Sequence, residues 1–299
     1  MPNVLVGCAG WSYRDWVGPV YPPRLTPGKW LEAYAGLFPL VEIDSTFYAI
    51  PSEATVAGWL ERVAAVPNFR FAAKLPQDIT HKALPKGSLD EATKIRALFH
   101  ERVIEPLEKA KRLEAILVQL PPTYAYYGAA GEQDALAALT RLLEELEPKR
   151  RRVAVEFRHG SWFDHVGERL APEVQEILAS LSVATVRVDG LGFRFHSSRT
   201  APWTYFRLHG RRENIPPSER GLSHAPYNYL YSKDEIAGLA EPIRAAAAED
   251  ASTLVVFNNH FKGQAARNAL DLFAALNLPQ PKAAITLSRA AKLDEYFGA

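Results

Sequence analysis

Three segments of this chain alternate apolar and polar side chains so that the charges fall on one face, towards the C-terminal end. In Val41-Glu-Ile-Asp44 the aliphatic Val41 and Ile43 oppose Glu42 and Asp44. In Val153-Ala-Val-Glu-Phe-Arg-His159, Val153, Val155 and Phe157 oppose Glu156 and Arg158. In Trp203-Thr-Tyr-Phe-Arg-Leu-His209, Thr204, Phe206 and Leu208 oppose Tyr205, Arg207 and His209. Successive side chains of a strand point to opposite faces, so each segment has one apolar and one charged face. A lone half-buried strand would turn its acids to solvent. Recurrence at the same end of three strands instead fits a parallel α/β sheet or barrel, with helices on one face and a ligand site at the strand ends.

The rest of the chain supplies matching elements. Val4–Ala9 is an apolar run of the kind buried in parallel sheets. Thr26-Pro27 opens a helix carrying Trp30, Leu31, Tyr34, Leu37 and Phe38 at helical spacing, and Ser52 caps a second carrying Val56, Trp59, Leu60 and Val63. Phe69–Lys74 is a third strand, with Ala72 and Lys74 on one face. A long helix is expected from about Leu89 to Leu113, kinked or divided by Pro106. Ala115–Leu120 reads as strand four, Gln133–Glu147 and Pro172–Leu181 as helices, and Val183–Asp189 as strand six. Residues 190–202 alone separate it from the seventh strand, so the sixth helix is expected to be missing or degenerate. Ser232 and Glu235 form a capping box, Thr253–Asn258 is strand eight, and Gln264–Leu276 is the last helix. Eight strands alternating with helices predict a single TIM (β/α)8 barrel over residues 1–299. A doubly wound sheet is the alternative, but no glycine-rich dinucleotide turn follows the first strand and there is no P-loop.

The motifs together resemble the YecE-like family, known as domain of unknown function 72. The matching pieces are Gly10-Trp-Ser-Tyr13 with Trp16, Gly18 and Tyr21-Pro22; Val41-Glu-Ile43 with Ser45-Thr-Phe-Tyr48 and Pro51; and Lys74 with Ile79-Thr-His81. Gln119-Leu-Pro-Pro122, Glu156-Phe-Arg-His159 with Ser161-Trp162, Arg207-Leu-His-Gly-Arg211 and Phe257-Asn-Asn259 complete the set. Asp44 departs from the family pattern, in which many members carry asparagine. The resemblance implies a TIM barrel whose reaction is unassigned.

In a barrel, Glu42, Asp44, Lys74, Gln119, Glu156, Arg158, Arg187, Asp189, Arg207, His209 and Asn258 would all point inward at the C-terminal mouth. Buried charges cost several kcal/mol each unless paired, so this convergence points to a ligand site as well as to ion pairs such as Glu42–Lys74. Lys74, Arg158, Arg207, Arg211 and Arg212 suit a small anionic or phosphorylated ligand. Arg207 and His209 are expected to hold its oxyanion together, with Gln119 and Asn258 adding polar contacts. Glu42 and Glu156 are the acid and base candidates, and His209 the proton shuttle near neutral pH. Trp11, Tyr13, Trp16, Tyr48 and Trp162 either stack a sugar or base or anchor their loops.

The functional expectation is acid–base chemistry, by a hydrolase, lyase or isomerase, on a phosphorylated sugar or nucleic-acid-derived substrate. The alternative is a non-catalytic nucleic-acid binder using the arginine-rich rim of residues 194–220. Lys and Arg total 35 against 34 for Asp and Glu, which leaves no globally basic coat and favours the enzyme. No local spacing marks a metal centre, although Glu42, Asp44, Glu156, Asp189 and His209 could bring a divalent metal together from separate strands. Cys8 is the only cysteine, so neither an internal disulfide nor a cysteine-based zinc site can form. With no signal-like start and no apolar run of membrane-spanning length, the expected location is the cytoplasm, away from membranes.

Overall fold

Eight parallel strands close on themselves in sequence order in this computed structural model, which describes residues 3–126, 135–219, 221–222 and 225–279. The strands are β1 Val4–Ala9, β2 Leu40–Ile43, β3 Arg70–Lys74, β4 Leu113–Gln119, β5 Val153–Glu156, β6 Ala184–Gly190, β7 Thr204–Gly210 and β8 Thr253–Phe257. Pairing of β1 with both β2 and β8 closes the barrel, with Cys8 opposite Val41 on one side and Phe257 on the other. Helices α1 Trp30–Ala35, α2 Glu53–Arg62, α3 Thr93–Phe99, α4 Glu105–Lys109, α5 Ala135–Glu145, α6 Pro172–Leu181, α7 Lys233–Glu249 and α8 Gln264–Ala275 occupy the connections. No helix of the described residues is long and apolar enough to cross a membrane.

The alternation of the strands sorts the buried residues into two sets. Val41, Ile43, Val153, Val155, Phe206 and Leu208 face outward into the large apolar layer beneath the helices. Inside the barrel lies a smaller apolar cluster built largely from small side chains: Ala9, Ala72, Ala115, Ala154 and Ala184, with Leu40, Leu117, Val186, Val256 and Tyr205. Small residues on five strands leave the lumen room for long charged side chains to cross it. Strand β1 contributes Gly7, where a Cβ would run into the Leu40 carbonyl of β2. Gly7→Ala should therefore force two paired strands apart. We expect a loss beyond the roughly 1–3 kcal/mol usual for overpacking, read by chemical denaturation. A variant as stable as the parent would mean that β1 and β2 are not in this register.

Two local features of the connections have physical causes. The long helix expected over 89–113 is broken into α3, a π turn over His100–Ile104, and α4, which ends at Lys109. Pro106 lacks the N–H that would bond four residues back, and the wider turn lies just ahead of it. Between β6 and β7, residues 191–203 contain turns and extended chain with no helix. This segment covers the outer face of β6 with polar side chains. Thr200 Oγ1 accepts from the Thr185 N–H at 3.0 Å, and His196 Nε2 lies 3.2 Å from Thr185 Oγ1. Residues 133–134, the start of the expected fifth helix, lie outside the described residues.

Candidate active site at the C-terminal mouth

Arg207, on β7, crosses the lumen to reach β2, β4 and β5. One terminal nitrogen, Nη2, meets Glu42 Oε1 at 2.6 Å; the other, Nη1, pairs with Glu156 Oε2 and donates to Gln119 Oε1 at 3.0 Å. Glu42, Glu156 and Arg207 are each fully buried. Tyr205, two residues before Arg207 on the same face, donates its hydroxyl to the other Glu42 oxygen at 2.6 Å. The expectation that Arg207 offers an open fork to an incoming oxyanion is therefore corrected: both ends of the fork already hold protein groups. Burial alone would raise the Glu156 pKa, but the Arg207 charge, with help from His209 and Arg158, holds it well below the ordinary carboxylate range.

His209 stands one step nearer the exit. Its Nδ1 lies 3.0 Å from the Asn258 side-chain nitrogen, which can only donate. The ring proton must then sit on Nε2, which faces Glu156 Oε1 at 3.3 Å without a well-aligned hydrogen bond. Burial pushes the imidazole down to about 4 against the pull of Glu156, so His209 is neutral at physiological pH.

Above this floor, Lys74 Nζ pairs with Asp44 Oδ1 at 2.8 Å, not with Glu42 as the strand pattern suggested. Glu42 is already engaged by Arg207 and Tyr205. Burial would raise Asp44, but the Lys74 ammonium outweighs it and leaves the carboxyl below its ordinary value. The Lys74 side chain is 7% exposed and that of Asp44 is 25% exposed. Lys74 also lies over the Phe47 ring, 4.0 Å from its centroid. Arg158, just past the end of β5, donates to Glu156 Oε1 at 3.1 Å and keeps some solvent access. Carboxylates Glu42, Asp44 and Glu156 thus face cations Lys74, Arg158 and Arg207, and the formal charges balance.

Other candidates lie elsewhere. Arg187 and Asp189 point outward, because β6 turns Ala184, Val186 and Val188 into the lumen. Arg187 packs over Phe206 and Asp189 receives both Arg211 Nε and Nη2 at 2.8 Å, with Tyr231 donating to it as well. Arg211, which also meets Glu235, therefore braces the outside of the barrel and does not line the mouth. Arg199 and Arg212 pair with Asp250 and Glu219, so the rim of 194–219 is largely self-neutralised. Among the described residues no group of three or more His, Cys, Asp or Glu is arranged to hold a metal ion. The metal set suggested by Glu42, Asp44, Glu156, Asp189 and His209 does not assemble, since Asp189 leaves the lumen and Arg207 occupies the carboxylates. Cys8 is buried, and burial pushes its thiol up.

The aromatics divide into anchors and rim groups. Trp16 and Trp162 are buried and bond backbone carbonyls, His260 O at 2.7 Å and Tyr124 O at 2.8 Å. Trp11 packs edge-on against Trp59. Tyr13 donates to Ala9 O at 2.7 Å and stacks flat on His260. His260 in turn adjoins Tyr227, which reaches towards His209. Tyr48 is 67% exposed at the rim. Tyr227, His260 and His81 were not among the residues singled out as site groups. The first two lie on loops without a strand period, and His81 lies in a π turn over Asp78–Ala83.

Known proteins resemble this chain over half or more of its length. UPF0759 protein YunF of Bacillus subtilis (strain 168) is 24% identical over 287 residues, spanning 92% of this chain and 95% of that protein. UPF0759 protein YecE of Escherichia coli (strain K12) is 33% identical over 160 residues, 54% of this chain and 50% of that protein. The crystal structure of a DUF72 family protein from Thermotoga maritima MSB8 superposes with a TM-score of 0.77 at 31% identity, covering 92% of this chain and 99% of that one. The family described as protein of unknown function DUF72 matches residues 5–292, and the chain belongs to that family.

Proposed function

We propose that this protein is an enzyme that performs acid–base chemistry on a small phosphorylated sugar, or a related hydroxyl-rich anion, bound at the C-terminal mouth. The observation that carries the reading is the pair of cations above the buried floor. Lys74 and Arg158 come from different strands and each has a carboxylate partner at the mouth. An incoming phosphate would draw Lys74 away from Asp44, which has the solvent access to turn outward. Arg158 can engage the ligand while Glu156 stays neutralised by Arg207. Gln119 and Asn258 would meet hydroxyl groups. His209, neutral and facing both Asn258 and Glu156, would hold Glu156 in place, and Glu42 would fix the floor through Arg207 rather than react. An apolar plug would fill the lumen at lower electrostatic cost, which favours a chemical purpose for this set.

Calorimetric titration with a pentose phosphate, the same sugar without phosphate, inorganic phosphate and a short oligonucleotide tests the reading. The sugar phosphate should bind about tenfold or more tightly than the free sugar, since a charged hydrogen bond contributes about 1.5–3 kcal/mol. Equal binding of both sugars, or binding of the oligonucleotide alone, would contradict it.

A further inference from the structure

His81 is a partly exposed imidazole beside the cations of the mouth. Glu42 and Glu156 are locked by Arg207, and His209 is fully buried with its Nε2 proton turned towards Glu156. The π turn over Asp78–Ala83 follows β3 and carries His81 to the same end of the barrel. Turns of this kind, with one extra residue, recur at functional sites. The ring stands edge-on to Phe47, centroids 4.8 Å apart, while Lys74 lies over that same phenylalanine. Its Nδ1 lies 2.9 Å from Thr80 Oγ1. The Thr80 hydroxyl also reaches the Pro76 carbonyl at 3.4 Å and has a single proton to give. With that proton on the carbonyl, Nδ1 must donate to Thr80 Oγ1, and Nε2 keeps its lone pair.

We propose that His81 is the proton acceptor of this site, contacting the bound substrate through Nε2 and gated by the substrate's own negative charge. The role rests on the reading of the mouth as an anion site. Burial, then Lys74 and Arg158, depress the imidazole to about 4, with Glu156 opposing them. On its own turn, Asp78 and Lys82 pair with each other at 2.6 Å. A phosphate on Lys74 and Arg158 would cancel the two cations and raise the pKa of the imidazole. In the proposed step a substrate O–H or C–H bond breaks, its proton passes to Nε2, and the electron pair stays on the substrate. The resulting imidazolium would lie beside the phosphate that made it tolerable.

Ring-nitrogen NMR of the full-length protein between pH 5 and 7.5, with and without inorganic phosphate, tests this. The signal lost in His81→Gln, or in His81→Asn should that variant fold better, identifies the ring. Without phosphate it should read as the neutral Nδ1–H tautomer down to pH 5, where an ordinary imidazole is about 97% charged. Saturating phosphate should bring its titration into the measured range. An Nε2–H tautomer, an ordinary titration, or a titration unmoved by bound phosphate would overturn the proposal. Calorimetry on the parent separates the two failures. Phosphate that binds without moving His81 removes only this role, whereas a flat trace removes the anion site and this role with it.

Discussion

Arg207→Met should cost about 3–5 kcal/mol of folding stability, a fall of roughly 6–20 °C in Tm, with the largest loss near neutral pH. The substitution removes the only cation bonded to both Glu42 and Glu156 among the described contacts, and leaves buried carboxylates behind. The pH dependence follows from the sign of the Glu156 shift. In the parent its folded pKa is depressed, so it stabilises the fold above the unfolded value and loses that contribution as pH falls through the folded value. Without Arg207, burial dominates and raises the folded pKa. The destabilisation is then present at neutral pH and is relieved as acid protonates the carboxyl. The Tm gap between parent and variant should therefore narrow from pH 7 to pH 5. Replacing Glu42, Glu156 and Arg207 together by Gln, Gln and Met should cost less than Arg207→Met alone. A gap that is constant with pH would mean that the loss comes from packing and not from unpaired charge.

Lys74→Met and Arg158→Met should each weaken sugar-phosphate binding about 10- to 150-fold, the range of one charge-assisted hydrogen bond. Their Tm changes should be small. Asp44 can turn to solvent when Lys74 is lost, and Glu156 retains Arg207 when Arg158 is lost. Arg211→Met gives the opposite signature: lower stability, because Asp189 and Glu235 lose their partner, and unchanged affinity. Calorimetry and thermal melts on the same three variants separate the mouth from its outer brace. Equal loss of affinity in all three would place the anion elsewhere.

The barrel was legible because the period of two holds for β2, β5 and β7, whose outer apolar face and inner charged face match what helices and a lumen require. The same logic misplaced Arg187 and Asp189. The polar face of β6 turns outward because the chain over 191–203 presents His196, Ser198 and Thr200 to it. No rule of alternation contains that information. Partner choice was equally hidden. Glu42 and Lys74 lie on adjacent strands, yet Arg207 reaches Glu42 from β7 because Ala9, Ala72, Ala115 and Ala154 leave the lumen open. Alanines on the inner faces were the available signal. His81 and Tyr227 lie on turns and loops, where side-chain direction depends on tertiary contacts and not on period.

Anomalous scattering from tungstate bound to the crystalline protein tests the central claim most directly, because tungstate mimics phosphate and marks its own position. The account predicts a peak at the C-terminal mouth within about 3 Å of both Lys74 Nζ and the Arg158 guanidinium, the reach of charge-assisted hydrogen bonds, with Asp44 turned away. A peak instead on the Lys149–Arg152 run at the opposite end of β5, with Lys74 still paired to Asp44, would contradict it.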